Sequence, residues 1–472
     1  MTDSVFEKRS LDNIYDEIRS VYLGDNRPWI LGFSGGKDST CMVELVWIAI
    51  AGLPKEKRHK KIFIISSDTL VESPKIVDQI TNTLDKMEKA AKKNDLPIST
   101  NLVRPLLEDT FWVNLLGRGY PAPSKNFRWC TDRLKIKNAD RFIVEKVSQY
   151  GEAIVVLGTR KDESGSRQQL MNLYEIKGSL LSRHSKFAQT YVYTPIKDFT
   201  TEDVWNYLLQ NKNPWGSNNR DLLALYQNAK AGECPLVVDT STPSCGNSRF
   251  GCWVCTVVEK DRSMENLIDN GEEWMEPLLE LREILKETQD PEIKKKVREL
   301  KRRQGYISFK SDGSGKITRG PYTLEFCQDF LRKLLRAQLK VRKTGPNQNM
   351  ELISQEELIE IQRIWRMERG DWKNSVYGIY EEEIHEKLPE SQEDLGIFGK
   401  VEQELLHQVC GKYDIPSILV SKLLQVELES QGMSRHSSVY GKINKILSEE
   451  WRDEDAILNE HQKKEQEKAR YS

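Results

Sequence analysis

The sequence contains no run of about 18 apolar residues, the length a membrane-crossing helix needs, so no membrane partner is expected. Its first ten residues, MTDSVFEKRS, contain no apolar stretch of the kind a secretory signal carries. The cytoplasm is therefore the expected location. No segment repeats. Neither sign of charge dominates: 71 Lys and Arg stand against 72 Asp and Glu, a net charge of −1. With 38% hydrophobic and 30% charged residues, the composition is that of a globular chain, and 472 residues suggest two or three domains at roughly 100–200 residues each.

The near-zero net charge hides an uneven distribution. Between Lys294 and Lys343 there are 16 Lys and Arg against 4 Asp and Glu, an excess of +12, so the remainder carries −13. A basic block in a neutral protein points to an anionic partner, or to a solvated helical face.

Helical spacing of Phe6, Leu11, Ile14, Ile18 and Val21 predicts a helix over 5–22. Apolar runs predict strands at 28–33, 62–65, about 100–103 and 153–158, with helices at 74–94, 109–117 and 131–147 between or beside them. Strands that alternate with helices and are apolar on both faces imply an α/β fold: a parallel sheet with helices on both faces. Residues 34–39, 66–69 and 158–167 would share the carboxyl edge, where such sheets bind ligands. A capped helix is expected over 201–210. Beyond 261 the chain reads as helical and charged, with a linker at 386–400 and a frayed polar end at 459–472. The expected modules are 1–215, a cysteine-rich module at 216–260, a basic helical region at 261–385, and a helical region at 386–472.

The segment Ser34-Gly35-Gly36-Lys37-Asp38-Ser39 joins the first strand to a helix. Glycines admit backbone N–H groups to phosphate, and the helix N-terminus favours anions. A Walker A loop is excluded, because Leu31 stands where Gly is required and Asp38 where Ser or Thr is required. Asp38 offers a hard oxygen to Mg²⁺. Arg160 and Arg167 are suited to bidentate phosphate contacts. Asp68, at the end of the second strand, would accept from a ribose or orient a metal, or is a turn residue. Trp129 and Trp205 read as packing residues.

Of eight cysteines, Cys234, Cys245, Cys252 and Cys255 fall within 22 residues, with glycines among them. Such clustering in a cytosolic chain favours metal over disulfides. Four thiolates suit zinc or an iron–sulfur cluster. A single Cys-x2-Cys knuckle with two scattered cysteines fits [4Fe–4S] better than a zinc ribbon. Cys130 is flanked by Arg128, Arg133 and Lys135, which would favour its thiolate and a persulfide, unless it is a buried structural cysteine. Cys41, Cys327 and Cys410 read as core.

The loop SGGKDS resembles the pyrophosphate-binding loop of the ATP pyrophosphatase superfamily. Arg128-Trp129-Cys130 with Leu134-Lys135, Gly158-Thr159-Arg160 through Glu163-Ser164 to Arg167, and Pro195-Ile196 with Asp203-Val204-Trp205 resemble motifs of its phosphoadenosine phosphosulfate reductase-like branch. With the N-terminal stretch, the segment 105–112 and the four cysteines, the chain resembles the sulfurtransferase subunit family of bacterial DNA phosphorothioation systems, less so after about residue 330.

That resemblance implies ATP cleavage to AMP and pyrophosphate, with Lys37, Asp38, Cys130 and Arg160 as catalytic groups. It also implies that Ser34, Gly35, Gly36, Ser39, Asp68, Gly158 and Arg167 bind nucleotide. It implies a [4Fe–4S] cluster, DNA as the acceptor, a cysteine desulfurase as sulfur donor, and sister subunits. The rival readings are a sulfonucleotide reductase, a tRNA thiolase and a non-catalytic DNA-binding scaffold. The reductases are usually shorter, end in a catalytic cysteine and lack the intact loop. The thiolases usually show paired Cys-x2-Cys motifs.

Overall fold

The computed structural model describes residues 4–229, 251–310, 312, 314–389, 398–430 and 437–471. The chain forms two compact units, Met1–Pro105 with Ser124–Glu273, and Leu106–Pro123 with Trp274–Ser472. Residues 106–123, which the sequence places within 1–215, thus belong with the helical unit.

The first unit is a six-stranded sheet in the order β3-β2-β1-β4-β6-β5. The strands are β1 (Trp29–Gly32), β2 (Ile62–Ser67), β3 (Ile98–Val103), β4 (Ala153–Val156), β5 (Leu181–Arg183) and β6 (Thr190–Tyr193). All pairings are parallel except that of β5 with β6. The period of two along each strand separates two cores. Trp29, Leu31, Ile62, Ile64, Ile154 and Val156 pack beneath α1 (Leu11–Leu23), α2 (Lys37–Ala51), α3 (Pro74–Lys93) and α6 (Thr201–Gln210). Ile30, Ile65 and Val155 pack on the other face with Phe142 and Ile143 of α4 (Lys137–Tyr150). Helices on both faces are thus present, as the apolar strands predict.

The chain runs from β1 outward to β3 and returns to place β4 on the other side of β1. The order reverses between β1 and β4, and a crevice at such a switch point is where open α/β sheets bind ligands.

Three local expectations change. The helix over 5–22 is broken: a short 3₁₀ turn spans Val5–Glu7, and Ser10 caps α1 by accepting from the Asn13 amide at 3.3 Å. Strands β5 and β6 were missed, because neither contains an unbroken aliphatic run. The polar end is helical: α17 (Glu454–Tyr471) is built from good helix formers with a Lys464–Glu460 pair one turn apart. The capped helix at 201–210 is α6, where Thr200 and Asp203 form a reciprocal capping box. Helices α5 (Gly165–Leu173), α7 (Asn219–Ala229) and α8 (Arg262–Asp269) complete this unit.

The second unit contains α9 (Glu276–Glu287), α10 (Pro291–Val297), α11 (Leu324–Thr344), α12 (Gln355–Arg369), α13 (Ser375–Ile384), α14 (Lys400–Lys412), α15 (Ser417–Ser430), α16 (Ser437–Leu447) and α17. Trp112 and Trp365 anchor it. Trp112 Nε1 donates to the Leu352 carbonyl (2.6 Å), and Trp365 Nε1 donates to the Leu116 carbonyl (2.8 Å). No helix among the described residues is long and apolar enough to cross a membrane.

Glu44 of α2 is fully buried. Its Oε1 accepts from Asn213 (2.9 Å) and Asn219 (2.8 Å), while Oε2 has no partner among the described residues. Burial raises its pKa from 4.5 to about 7. In this window the folded chain holds a proton that the unfolded chain has released, so this group's contribution to stability falls as pH rises from about 4.5 to about 7. The Glu44→Gln variant is expected to lose that slope and to melt higher than the parent at pH 8, by a few °C at about 2–4 °C per kcal/mol. Parallel slopes in melts from pH 5 to 8 would overturn this.

Candidate active site

After β1 the chain turns through Ser34-Gly35-Gly36 into α2. Gly35 adopts φ +72°, the left-handed region that favours glycine. Gly36 caps α2 without a side-chain bond to its amides, so the helix start is shaped for an anion rather than self-capped. Ser39 shapes the loop. Its Oγ donates to the Gly36 carbonyl (3.0 Å), accepts from the Ser34 amide (3.2 Å) and lies 3.1 Å from Ser34 Oγ. The Lys37 amide donates to the phenol oxygen of Tyr226 at 3.2 Å. Tyr226, on α7, is held edge-on to Trp205 at 5.2 Å. Sequence reading missed Tyr226, which lies 189 positions from Lys37 and carries no local motif.

Asp38 is held by two cations. Lys37 Nζ approaches one oxygen at 2.7 Å and Arg160 Nε the other at 2.7 Å. Burial opposes its charge, but the two cations outweigh it and hold the carboxyl below its usual range. Arg160 is itself 2% exposed. It also donates to the Phe199 carbonyl (3.2 Å) and the Thr201 hydroxyl (3.1 Å). In this arrangement Asp38 and Arg160 are turned toward each other, where the sequence suggested Mg²⁺ and phosphate. Arg160 acts on the loop through Asp38.

Gly158 makes that approach possible. A Cβ there would lie 2.6 Å from the Asp38 carbonyl oxygen and 3.0 Å from the Ser39 amide. Arg167 lies on α5, paired with Glu163 at 3.3 Å. Asp68 follows β2, with its oxygens taken by the Leu70 amide (2.9 Å) and Arg104 (2.9 Å).

A cavity of about 1430 Å³ opens over the loop. Residues 34–39, Gly158, Arg160 and Arg167 line it, as do Tyr226, Glu72 and Lys135, but Asp68 does not. Glu72 and Lys135, which pair at 3.0 Å, are also within electrostatic reach of Cys252, although no cysteine lines the cavity among the described residues. The 251–255 knuckle is strapped to the segment after β2. Ser73 donates to the Gly251 carbonyl (3.2 Å), and Trp253 donates to that of Val71 (3.0 Å). Cys252 Sγ lies 3.4 Å from the Thr69 hydroxyl. Cys130 sits where the helix begun at Trp129 winds as a π-turn over Thr131–Ile136, an irregularity frequent at functional sites.

Cys255 is within electrostatic reach of both Cys130 and Cys252. Lys135 is within electrostatic reach of Cys252, Glu72 and Cys130, and this environment holds its pKa up. Burial pushes the Cys130 thiol up, with Cys255 adding to the rise and Lys135 only partly offsetting it. The expected thiolate-favouring environment is thus reversed by desolvation. Cys252 is raised further, again chiefly by burial.

Cys234 and Cys245 lie outside the described residues. No three His, Cys, Asp or Glu side chains among the described residues are disposed to hold a metal. Cys41, Cys327 and Cys410 are buried, as are Trp129 and Trp205.

Residues 28–258 are similar to the phosphoadenosine phosphosulfate reductase domain family. An uncharacterized protein of Methanocaldococcus jannaschii is 24% identical over 242 residues, which is 51% of this chain and 39% of that protein. The chain thus spans about two fifths of that relative. Among solved structures, the phosphoadenylyl-sulfate reductase of Candida auris is 14% identical, covering 48% of this chain and 95% of its own, with a TM-score of 0.29. The U34-tRNA thiolase NcsA of Methanococcus maripaludis, solved with its [4Fe–4S] cluster, is 13% identical, covering 59% and 80%, with a TM-score of 0.28. TM-scores this low bear on neither activity nor substrate.

Two substitutions test the loop. Gly158→Ala is expected to abolish ATP binding and to destabilise the unit by about 1–3 kcal/mol, since backbone must move to admit the methyl. Unchanged ATP affinity by calorimetry would show that the close approach is dispensable. Tyr226→Phe removes the oxygen that the Lys37 amide now meets, and is expected to raise affinity for inorganic pyrophosphate several-fold. A fall would make Tyr226 a phosphate ligand instead.

Proposed function

We propose that the protein is an ATP pyrophosphatase and sulfurtransferase that activates a DNA backbone phosphate and helps replace one of its oxygens with sulfur. The observation that carries the activation-and-sulfur reading is the single cavity lined at one end by the SGGKDS loop and at the other by Lys135 and Glu72, beside Cys130 and Cys252. The choice of DNA rests on the sequence resemblance and on the basic block after residue 294.

In this reading the triphosphate lies over residues 34–39 and brings Mg²⁺ with it. The amides at the start of α2 face the phosphates, and Tyr226 yields its place at the Lys37 amide. Lys37 and Arg167 neutralise the growing charge on pyrophosphate. Arg160, through Asp38, positions Lys37. A DNA phosphate oxygen attacks the α phosphorus, the bond to the β phosphate breaks, and pyrophosphate leaves. The outer sulfur of a persulfide delivered by a cysteine desulfurase then displaces AMP to form a P–S–S–Cys link, and a two-electron dithiol reductant cleaves the sulfur–sulfur bond, leaving the phosphorothioate and freeing the cysteine thiol. Sister subunits would present the DNA.

The donors within reach fit an iron–sulfur cluster in kind, being thiols rather than imidazoles or carboxylates. Cys234, Cys245, Cys252 and Cys255 would hold it, and Cys130, within electrostatic reach of Cys255, stands beside it as the persulfide carrier. Bound there, a [4Fe–4S] cluster would supply electrons or a sulfur-binding iron. Lys135 stands between the thiols and the cavity and offers its charge to either side.

Anaerobic purification with iron and sulfide analysis, alongside a pyrophosphate-release assay with ATP, tests this. Near four irons and four sulfides, lost in Cys252→Ser and in Cys255→Ser, are the expected outcome, with AMP and pyrophosphate formed only when DNA is present. Zinc without sulfide, or full iron in Cys252→Ser, would sink the ligand assignment. Stimulation by tRNA rather than DNA would move the acceptor to a tRNA thiolation reaction. Turnover of a sulfonucleotide without ATP would make the protein a reductase.

A further inference from the structure

The excess of positive charge between Lys294 and Lys343 divides into two parts in the folded second unit. On α11, Arg332 pairs with Glu382, Lys333 with Asp329, and Arg336 with Glu383. Arg342 donates to the Met350 carbonyl (2.8 Å) at the helix C-terminus, where cations are favoured. Four of the six cations of α11 are thus partnered within the fold, and Lys340 and Lys343 pair with no carboxylate among the described residues.

Of the ten cations of the block that precede α11, those without a carboxylate partner among the described residues are in the majority, six against four. Residues 298–310 and 314–322 form a ribbon. Arg298 bridges Tyr322 in antiparallel fashion, and Phe309 bridges Ile317 in a hairpin farther out. Arg319 is paired with Glu454 (2.6 Å), Lys301 with Glu449 (2.9 Å) and Arg303 with Glu368 (3.2 Å). Among the described residues, Lys294, Arg298, Arg302, Lys310 and Lys316 form no ion pair with a carboxylate.

These cations also face one another. The Lys310 amide donates to the Lys316 carbonyl (2.8 Å), which sets two lysines opposite across the hairpin, a destabilising placement for like charges. Arg298 donates to the carbonyls of Gly320 and Arg319, both at 2.7 Å. Burial, with Arg302 and Arg319 close by, pushes Arg298 down to about 10. Lys294 is lowered by burial and by Arg298 and Lys310. Asp290 and Asp312 are the carboxylates that feel this group. Like charges gathered on an extended ribbon are stabilised by an external polyanion, and a nucleic-acid backbone presents phosphates in a repeating line.

We propose that the ribbon of 298–310 and 314–322, with Lys294 at its base, is a docking surface for the backbone of duplex DNA, gripped through Lys294, Arg302, Lys310 and Lys316 without reading base sequence. The choice of DNA rests on the acceptor proposed above. The ion-paired cations of α11 take no part.

The test compares two double variants of equal charge change. Arg302→Ser/Lys310→Ser alters the ribbon, and Lys333→Ser/Arg336→Ser alters α11. Binding of a fluorescent mixed-sequence duplex is followed by anisotropy over a range of salt, without ATP, after melts confirm that both variants fold. The ribbon variant is expected to lose tenfold or more in affinity, and its salt slope to drop by about 2, close to one for each phosphate contact removed. The α11 variant is expected to stay within threefold of the parent. Equal losses in both, or no loss in the ribbon variant, would overturn the proposal. So would displacement of the duplex by poly-glutamate at equal charge, which would assign the ribbon to an acidic protein. Pyrophosphate release is measured on the same proteins. Ribbon-dependent DNA binding without pyrophosphate release sinks the activation chemistry and keeps the docking surface. Release with ribbon-independent binding does the reverse.

Discussion

The buried guanidinium of Arg160 ties together the parts of the α/β unit that make its site. It leaves the end of β4 and reaches Asp38 at the start of α2, the Phe199 carbonyl ahead of α6, and Thr201 within α6. An unpaired charge so deeply buried would cost several kcal/mol, so each of these partners is required once the arginine is there. Gly158 permits the same closure from the backbone side, because the chain after β4 lies against the Asp38 carbonyl with no room for a methyl. The strand-order reversal between β1 and β4 therefore becomes a fixed crevice, with the phosphate loop on one wall and the segment after β4 on the other.

The thiols depend on that frame. The knuckle at 251–255 has little regular structure of its own, and its place is set by backbone bonds to the chain just after β2. Cys130 arrives from the opposite side, on the irregular turn that begins the α4 helix. Lys135, one turn farther on, lines the cavity and pairs with the Glu72 carboxylate, within electrostatic reach of the sulfurs. Nucleotide chemistry and sulfur chemistry would thus share one electrostatic environment.

Much of this was legible in the chain. The loop was, because strand, glycine turn and helix follow one another within a dozen residues and obey local rules. Strands β1 to β4 were, because apolar runs mark β1, β2 and β4 and β3 follows the charged helix α3. Strands β5 and β6 were not, since Leu181-Ser182-Arg183 and Thr190-Tyr191-Val192-Tyr193 lack an unbroken aliphatic run. Tyr226 was not, because nothing near it in sequence marks a phenol that rests on a distant amide. For Cys130, neighbouring cations in the sequence suggested a lowered pKa. Burial, which the sequence does not display, dominates and raises it.

By itself the sequence determined the class of sheet, the anion-binding character of residues 34–39, and the chemical kinds of group available: thiols, guanidinium groups and a basic block. These follow from periodicity, glycine placement and composition, which are local properties. Only the tertiary structure decided which groups face one another. It turned Asp38 and Arg160 together, brought Cys130 toward the 252–255 knuckle, and paired Arg332, Lys333 and Arg336 of α11 with carboxylates while setting Lys310 and Lys316 of the ribbon against each other. Partnership, burial and mutual charge depend on residues far apart in sequence, and folding is what brings them within reach.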